Sequence, residues 1–511
     1  MRPAMQKLSE ALARDMREKG IDIDLSLSIL EDWNSGFYDD VKSVKAASVP
    51  SIDGRTVVDT DRLATFGRPL SHVRALFDSL GLSLPEGLPR DGDNLVFDRA
   101  ALEDLGLRLL PRAAWGVLNG GSATSYADRK KNQAYGEEVF ALLSEGFERL
   151  EPLCRDRPKG LAPAFLNPDG SPGPSFLLLK MRARLLLSHR YRARFGDPRK
   201  AILPLFQMSS SGNDAELAEA YRKMGTDPLL AVPAAGLGGI EASGAVAWAT
   251  GVQPMIAAFS HSSEGKTKRV FDSAWGRPDS ALALPGGHGQ SFRILTKVFR
   301  DLRASGVRWA WLGNVDNLGF TPDPLRLALF ALSGEPAAFE FAYRSPLDVK
   351  GGILVQTSEG SRTIADIGPA ISFDEVRRLE AAGSSILFNC ATGLFDLEWL
   401  VPRLDEIGRA LPVRFTDQDK DAGRYSQAEQ VTWEVASLLP SFLAFAVRKE
   451  ERFIAAKLLA ETLLASGLGL DDPKVPTELA KASRALHEGL VARLGSVYGL
   501  RLRDGRWSAA G

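Results

Sequence analysis

From about Ala113 onward, short apolar runs alternate with amphipathic stretches of helical period. That alternation predicts an α/β fold. The runs AAWGVL (113–118), AILPLFQM (201–208), QPMIAAF (253–259), VRWAWLGNV (307–315), FEFAYR (339–344), GILVQT (352–357) and SSILFNC (384–390) read as strands. Between them, AYGEEVFALLSEGFERL (134–150), DAELAEAYRKMG (214–225) and FRILTKVFRDLRASG (292–306) read as helices. The flanks read differently. Residues 1–110 carry helical spacing in MQKLSEALARDMREKG, PLSHVRALFDSLGL and FDRAALEDLGLRLL, broken by Pro- and Gly-containing loops. Residues 441–511 read as helical too, in FLAFAVRKEERFIAAKLLAETLLASG and PTELAKASRALHEGLVARLGSVYG. Three blocks are therefore expected: a helical N-terminal extension (1–110), an α/β domain (111–440) and a helical C-terminal segment (441–511). The basic run MRARLLLSHRYRARFGDPRK (181–200) reads as having one solvated face, with a phosphate-binding role as the lesser alternative.

Composition narrows the class. The 511 residues are 44% hydrophobic and 25% charged, enough to bury a sizeable core. Lys plus Arg number 63 against 64 Asp plus Glu, a formal net charge of -1. That balance argues against a general nucleic-acid binder. Cys154 and Cys390 are the two cysteines and form no CxxC pair, so neither a zinc site nor a disulfide framework is expected. No window holds the roughly 18 apolar residues of a membrane span. The charged N-terminus lacks the apolar centre of a signal peptide. A cytoplasmic protein without a membrane partner is expected.

Four stretches carry candidate chemistry. LNGGSATSYADRKKN (118–132) follows a strand with two glycines, hydroxyls and paired lysines. Gly120 and Gly121 would let a phosphate reach their backbone N–H groups, and Lys130 and Lys131 would add charge. The stretch lacks both the Walker A ending and GxGxxG, so a plain turn reads equally well. WAWLGNVDNLGFTPDP places Asp316 at the carboxyl end of a buried strand, where α/β sheets bind ligands. Asp316 could hold Mg²⁺ beside phosphate oxygens or cap the next helix. LALPGGHGQSF surrounds His288 with glycines, and YRSPLDVKGGILVQT sets Lys350, Gly351 and Gly352 before a strand.

Taken in order, the four stretches resemble the UDP-sugar pyrophosphorylase family, over roughly residues 113–460. The family's patterns are a LNGGxGTxMGxxxPK-like loop, a PGHGD-like loop, an NxDNLGAxxD strand end and a KxxADxKGG segment. The resemblance implies a Rossmann-like nucleotidyltransferase core with a mixed sheet. It implies Mg²⁺-dependent transfer of a uridylyl group from UTP to a sugar 1-phosphate. Glucose 1-phosphate is the leading substrate, with N-acetylglucosamine 1-phosphate or galactose 1-phosphate as alternatives. A non-catalytic nucleotide-sugar binding protein on the same fold is the competing class. By the same resemblance Gly120, Gly121, Gly287 and His288 contact nucleotide, and Asn314, Gly352, Asp366 and Asn389 contact sugar. Asp316 holds the metal, and Lys131 and Lys457 neutralise phosphate. On its own residues, Lys457 reads as a surface lysine of a helix. The chain also departs from the patterns. The glycine loop places its lysine one residue early, Gln290 stands at the PGHGD aspartate, and Asp366 falls where a glutamate is usual. The C-terminus lacks the β repeats of many eukaryotic members.

Overall fold

Ten strands build the central sheet of the computed structural model, which describes residues 8–38, 44–197, 202–237, 248–345, 348 and 351–509. In chain order they are β1 (Val57–Asp59), β2 (Ala113–Leu118), β3 (Leu205–Ser210), β4 (Trp248–Gln253), β5 (Trp309–Asn314), β6 (Ala337–Tyr343), β7 (Gly352–Gln356), β8 (Arg362–Asp366), β9 (Leu387–Asp396) and β10 (Leu443–Val447). Their spatial order is β1-β10-β6-β9-β5-β2-β3-β4, with the β7–β8 hairpin attached to β9. Strands β5, β2, β3 and β4 run parallel to one another, as do β1, β10 and β6. Strand β9 is antiparallel to both β5 and β6, which makes the sheet mixed.

Both faces of this sheet are covered. Trp115, Val117, Trp309 and Trp311 pack into one apolar cluster, while Ala114, Leu118, Ala310 and Leu312 pack into another. The period-2 alternation of side chains across a strand produces that division. Strand sides that face two layers leave few polar positions, which is why AAWGVL and WAWL read as continuous apolar runs. The parallel arrangement brings the carboxyl ends of β2, β3, β4 and β5 to one edge. Asn314 pairs with Leu118, Leu118 with Met208, and Ser210 with Gln253.

Two expectations are corrected. The apolar run after Phe442 is not helical at its start: Leu443–Val447 is strand β10, buried at all five positions between β1 and β6. A short continuous apolar run has no period to separate buried strand from buried helix. Helix resumes at Lys449–Arg452, Leu459–Ala465 and Thr477–Ser496, and a terminal hairpin pairs Leu500–Arg503 with Arg506–Ala509. The basic run also lacks the solvated stripe expected of it in its first turns. It lies in the helix Phe176–Phe195, where Lys180, Arg182 and Arg184 are buried at 0%, 2% and 3% exposure. Backbone carbonyls satisfy these cations, as when Arg182 Nε donates to Tyr498 O at 2.6 Å. The N-terminal block adds to its helices a small sheet, Thr65–Pro69, Asn94–Asp98 and Arg90–Asp91, and supplies β1 to the central sheet. Both cysteines are buried and unpaired. Residues 198–201 and Lys350 lie outside the described residues.

Candidate active site

The loop after β2 is closed by a segment distant in sequence. Gly121 O accepts from Lys159 N at 3.1 Å, Ser122 pairs with Pro158, and Gly160 leaves room for the Asn119 carboxamide. A Cβ on Gly120 would meet Ser209 O at 3.2 Å, whereas one on Gly121 would meet nothing within 4 Å. Gly120 is thus needed for packing, and Gly121 opens onto space where a ligand could approach the backbone.

Lys159 occupies the centre of this arrangement. Its ammonium donates to the Asp316 carboxylate and, at 2.8 Å, to Ala456 O. It also lies 4.9 Å from the ring of Tyr126 in the glycine loop. Lys131, the lysine expected here, turns back on its own loop and donates from Nζ to Ser125 Oγ at 2.9 Å. The lysine that reaches Asp316 is therefore Lys159. The reason is an intervening helix, Glu137–Cys154, that loops out between the glycines and the returning Pro158-Lys159. The signal was present in the sequence: the resembled loop ends in Pro-Lys, and Pro158-Lys159 is such a pair.

Asp316 follows β5, in a turn whose Val315 N donates to Leu118 O at 3.3 Å. It does not cap the next helix. Asp323 does, its side chain accepting from Arg326 N ahead of Pro324–Ser333. Burial would raise the Asp323 carboxyl, but Arg326 and Arg452 outweigh it and hold the group at about 2. Arg452 is buried and forks onto Glu340 in β6, with Nε to Oε2 at 2.9 Å and Nη2 to Oε1 at 2.6 Å. Its carbonyl accepts from Asn317 Nδ2 at 3.0 Å. Lys180 is another buried cation beneath the turn; burial pulls its ammonium down to about 7, with Asp316 opposing that shift.

Lys457 is exposed and stands ahead of the helix Leu459–Ala465, not on its surface. Glu461 fixes the backbone there, its Oε2 accepting from Lys457 N at 2.5 Å. The segment docks on the glycine loop: Leu459 N donates to Tyr126 O at 3.0 Å, and Ala460 N to Asn132 Oδ1 at 2.8 Å. The Ala456 carbonyl bound by Lys159 is thus the residue next to Lys457 in the chain.

A second wall comes from the loop 285–290. Gly287 has φ +81°, and a Cβ there would collide with the Gln430 backbone. Gly289 N donates to Gln430 O at 2.8 Å and Gln430 N to Gly286 O at 3.0 Å. His288 Nδ1 lies 3.1 Å from Thr432 N and 2.8 Å from Thr432 Oγ1, which donates to His288 O at 2.7 Å. Burial lowers this imidazole to about 4, so it is neutral near pH 7. Gln253, at the carboxyl end of β4, links the two loops. Its Nε2 donates to Gly287 O at 2.8 Å and to Gln290 Oε1 at 2.9 Å, and its Oε1 lies on the side of Gly120. Gln290 thus pairs amide to amide where the resembled pattern has an aspartate. The strand expected over 253–259 is displaced: Gln253 ends β4, and Met255–Ala257 pairs with Ala283–Pro285 outside the central sheet, so the role of Gln253 at a strand end was missed.

The expected sugar-binding residues fall on the neighbouring strands. Gly352 pairs with Asp366 across the β7–β8 hairpin, and β7 joins β9 at Ile353 and Phe388, next to Asn389. Asn389 Oδ1 accepts from Ala391 N at 3.0 Å. Asn314 ends β5, next to Gly313, which pairs with Thr392 of β9. Asp366 is exposed at the hairpin end.

Comparison with known proteins bears on this site. The family model described as UTP–glucose-1-phosphate uridylyltransferase matches residues 266–467, a span holding His288, Asn314, Asp316, Gly352, Asp366, Asn389 and Lys457. Over that span the chain is similar to the UTP–glucose-1-phosphate uridylyltransferase family. Solved structures share the fold. A variant of the UDP-glucose pyrophosphorylase from Leishmania major is 16% identical, covering 90% of this chain and 79% of that one, with a TM-score of 0.55. A UDP-glucose phosphorylase from Trypanosoma brucei is 17% identical over 90% and 79%, with a TM-score of 0.55. A second Leishmania major variant, in complex with UDP-glucose, is 16% identical over the same shares, with a TM-score of 0.54. No curated protein matches the sequence. Among the described residues, no helix is long and apolar enough to cross a membrane.

Proposed function

We propose that this enzyme joins UTP and glucose 1-phosphate in a Mg²⁺-dependent reaction that yields UDP-glucose and pyrophosphate. The observation that carries the reading is the meeting of Lys159, Asp316 and the Lys457 segment at the mouth of the glycine loop. A phosphate oxygen of the sugar phosphate attacks the α-phosphorus of UTP, and the bond to the departing pyrophosphate breaks in line. The protein's task is positioning and charge neutralisation. Gly120 and Gly121 would present backbone amides to the phosphates. Lys159 and Lys457 would take their charge, with Lys131 further out at the loop. Gly287, His288 and Gln253 would frame the uridine. Asn314, Gly352, Asp366 and Asn389 would line the sugar.

The residues fit a Mg²⁺ ion. Among the described residues there is no cluster of three or more His, Cys, Asp or Glu; Asp316 would supply a single carboxylate, completed by phosphate oxygens and water. Mg²⁺ characteristically accepts such a set. The Lys159 ammonium now lies on that carboxylate and could transfer to the substrate phosphates when a metal arrives. When bound, the ion would withdraw charge from the phosphate oxygens and the leaving group. A cytoplasmic location belongs to the same reading, supported by two unpaired buried cysteines.

Pyrophosphate release from purified protein with UTP, with and without Mg²⁺, across glucose, galactose and N-acetylglucosamine 1-phosphates tests this reading. Preference for glucose 1-phosphate and loss of turnover on chelation are expected. Preference for another sugar would replace the substrate and keep the chemistry. UDP-sugar binding without turnover on any of them would favour a non-catalytic binding protein.

A further inference from the structure

The turn that carries Asp316 is gripped from behind by two residues outside the family-matched span, Lys180 and Tyr498, and by one within it, Arg452. Lys180 Nζ donates to Asn317 O and to Phe320 O, both at 2.9 Å. The Tyr498 hydroxyl donates to Leu318 O at 2.8 Å. Both side chains are at 0% exposure. Lys180 belongs to the helix Phe176–Phe195 and Tyr498 to the chain just after the helix Thr477–Ser496. Arg452 completes the grip by donating from Nη2 to Thr321 O at 3.0 Å, and within the turn Gly319 N donates to Asn317 Oδ1 at 2.9 Å. Four consecutive-region carbonyls, those of Asn317, Leu318, Phe320 and Thr321, are thus held by buried donors from three separate elements.

Packing alone does not call for these donors. Burying an ammonium costs far more than burying a methionine of similar length, and a phenylalanine would fill the Tyr498 site. What the polar atoms add is directional: they fix where the turn's peptide planes lie, and so where the Asp316 carboxylate begins. Resting on the reaction proposed above, we propose that Lys180 and Tyr498 are positioning residues for uridylyl transfer, acting through the Asp316 turn. The C-terminal segment would then be part of the catalytic scaffold and not an appendage to it. Tyr498 O also accepts from Arg182 Nε at 2.6 Å, and Gly499 O from Arg182 Nη2 at 2.9 Å, so the helix that bears Lys180 holds the segment in turn.

The test compares full-length wild-type protein with Tyr498→Phe and Lys180→Met. Three quantities are measured: thermal midpoint, kcat with KM for both substrates, and Mn²⁺ binding in the presence of UTP by electron paramagnetic resonance. Small displacements of a reacting group can cost on the order of a hundredfold in rate. Tyr498→Phe should lower kcat by about tenfold, leave KM for the sugar phosphate within about twofold, and weaken Mn²⁺ binding several-fold, at a temperature where the variant is fully folded. Lys180→Met should do the same more severely, and it serves as the test if Tyr498→Phe does not fold. Folded variants with wild-type kcat and wild-type Mn²⁺ binding, differing only in thermal midpoint, would overturn the inference while leaving the proposed function intact. Wild-type protein that neither turns over nor binds Mn²⁺ with UTP would overturn the proposed function, and this inference with it.

Discussion

At the residue scale, the account turns on which lysine serves the phosphates. Lys159 is held at the Asp316 carboxylate, and Lys131 is held by Ser125 of its own loop. Removing a preorganised charge from a phosphoryl-transfer site costs on the order of a hundred- to a thousandfold in rate. Lys159→Met should therefore lower kcat by at least about a hundredfold, while Lys131→Met should change it by less than about threefold; steady-state pyrophosphate release checks both. The reverse ranking would return the role to Lys131. The strand-end positions of Asp316, Gly120 and Gly121 were legible in the sequence because each follows an apolar strand run, where α/β sheets place ligands. Lys159 was marked there only by its Pro-Lys pair; its closeness to Gly121 depends on a helix looping out between them, which spacing along the chain cannot show.

Elements decide how these residues face one another. Strands β2 and β5 were readable from AAWGVL and VRWAWLGNV, whose sides are covered by two apolar layers. Strand β4 and its terminal Gln253 were not readable, nor was β10, which only its neighbours β1 and β6 distinguish from a helix. The loop 285–290 shows the strength of element-level constraint. Gly287 sits at φ +81° with its Cβ direction blocked by the Gln430 backbone. Gly287→Ala should lose both this geometry and the Gln253 contact to its carbonyl. An expected outcome is a rise in the dissociation constant for UTP of about tenfold or more, measured by calorimetry, with the Asp316 side of the site unchanged. Unaltered UTP affinity would remove this loop from the nucleotide subsite.

For the whole molecule, stability and site are joined through buried charge. The Glu340–Arg452 pair ties β6 to the segment that supports Asn317, with both side chains nearly inaccessible. Breaking a buried pair leaves an uncompensated charge and costs about 3–5 kcal/mol. Glu340→Ala should lower unfolding free energy in denaturant by that order, and a change below about 1 kcal/mol would contradict the description. His288 gives a pH signature. Burial holds its folded-state value at about 4, while an unfolded histidine titrates near ~6.5. Between these values the unfolded chain binds a proton that the folded protein rejects. Its contribution to stability is complete above that window and is lost as pH falls through it. Thermal midpoints at pH 7.5 and pH 5 should therefore differ more for wild type than for His288→Gln, and equal differences would refute the assignment. The α/β pattern and the order of the four motifs were visible in the sequence at this scale, and the mixed sheet was expected through the resemblance those motifs carry. The contribution of the flanks was not, since β1 and β10 acquire their role only by pairing with each other and with β6.

The most direct measurement follows the uridylyl group itself, using UTP labelled at the α-phosphorus with glucose 1-phosphate and Mg²⁺, for wild type and Lys159→Met side by side. The account predicts label in UDP-glucose with stoichiometric pyrophosphate from wild type, and almost none from the variant. Label remaining in UTP with the folded wild-type protein, across glucose and the alternative sugar phosphates, would contradict it.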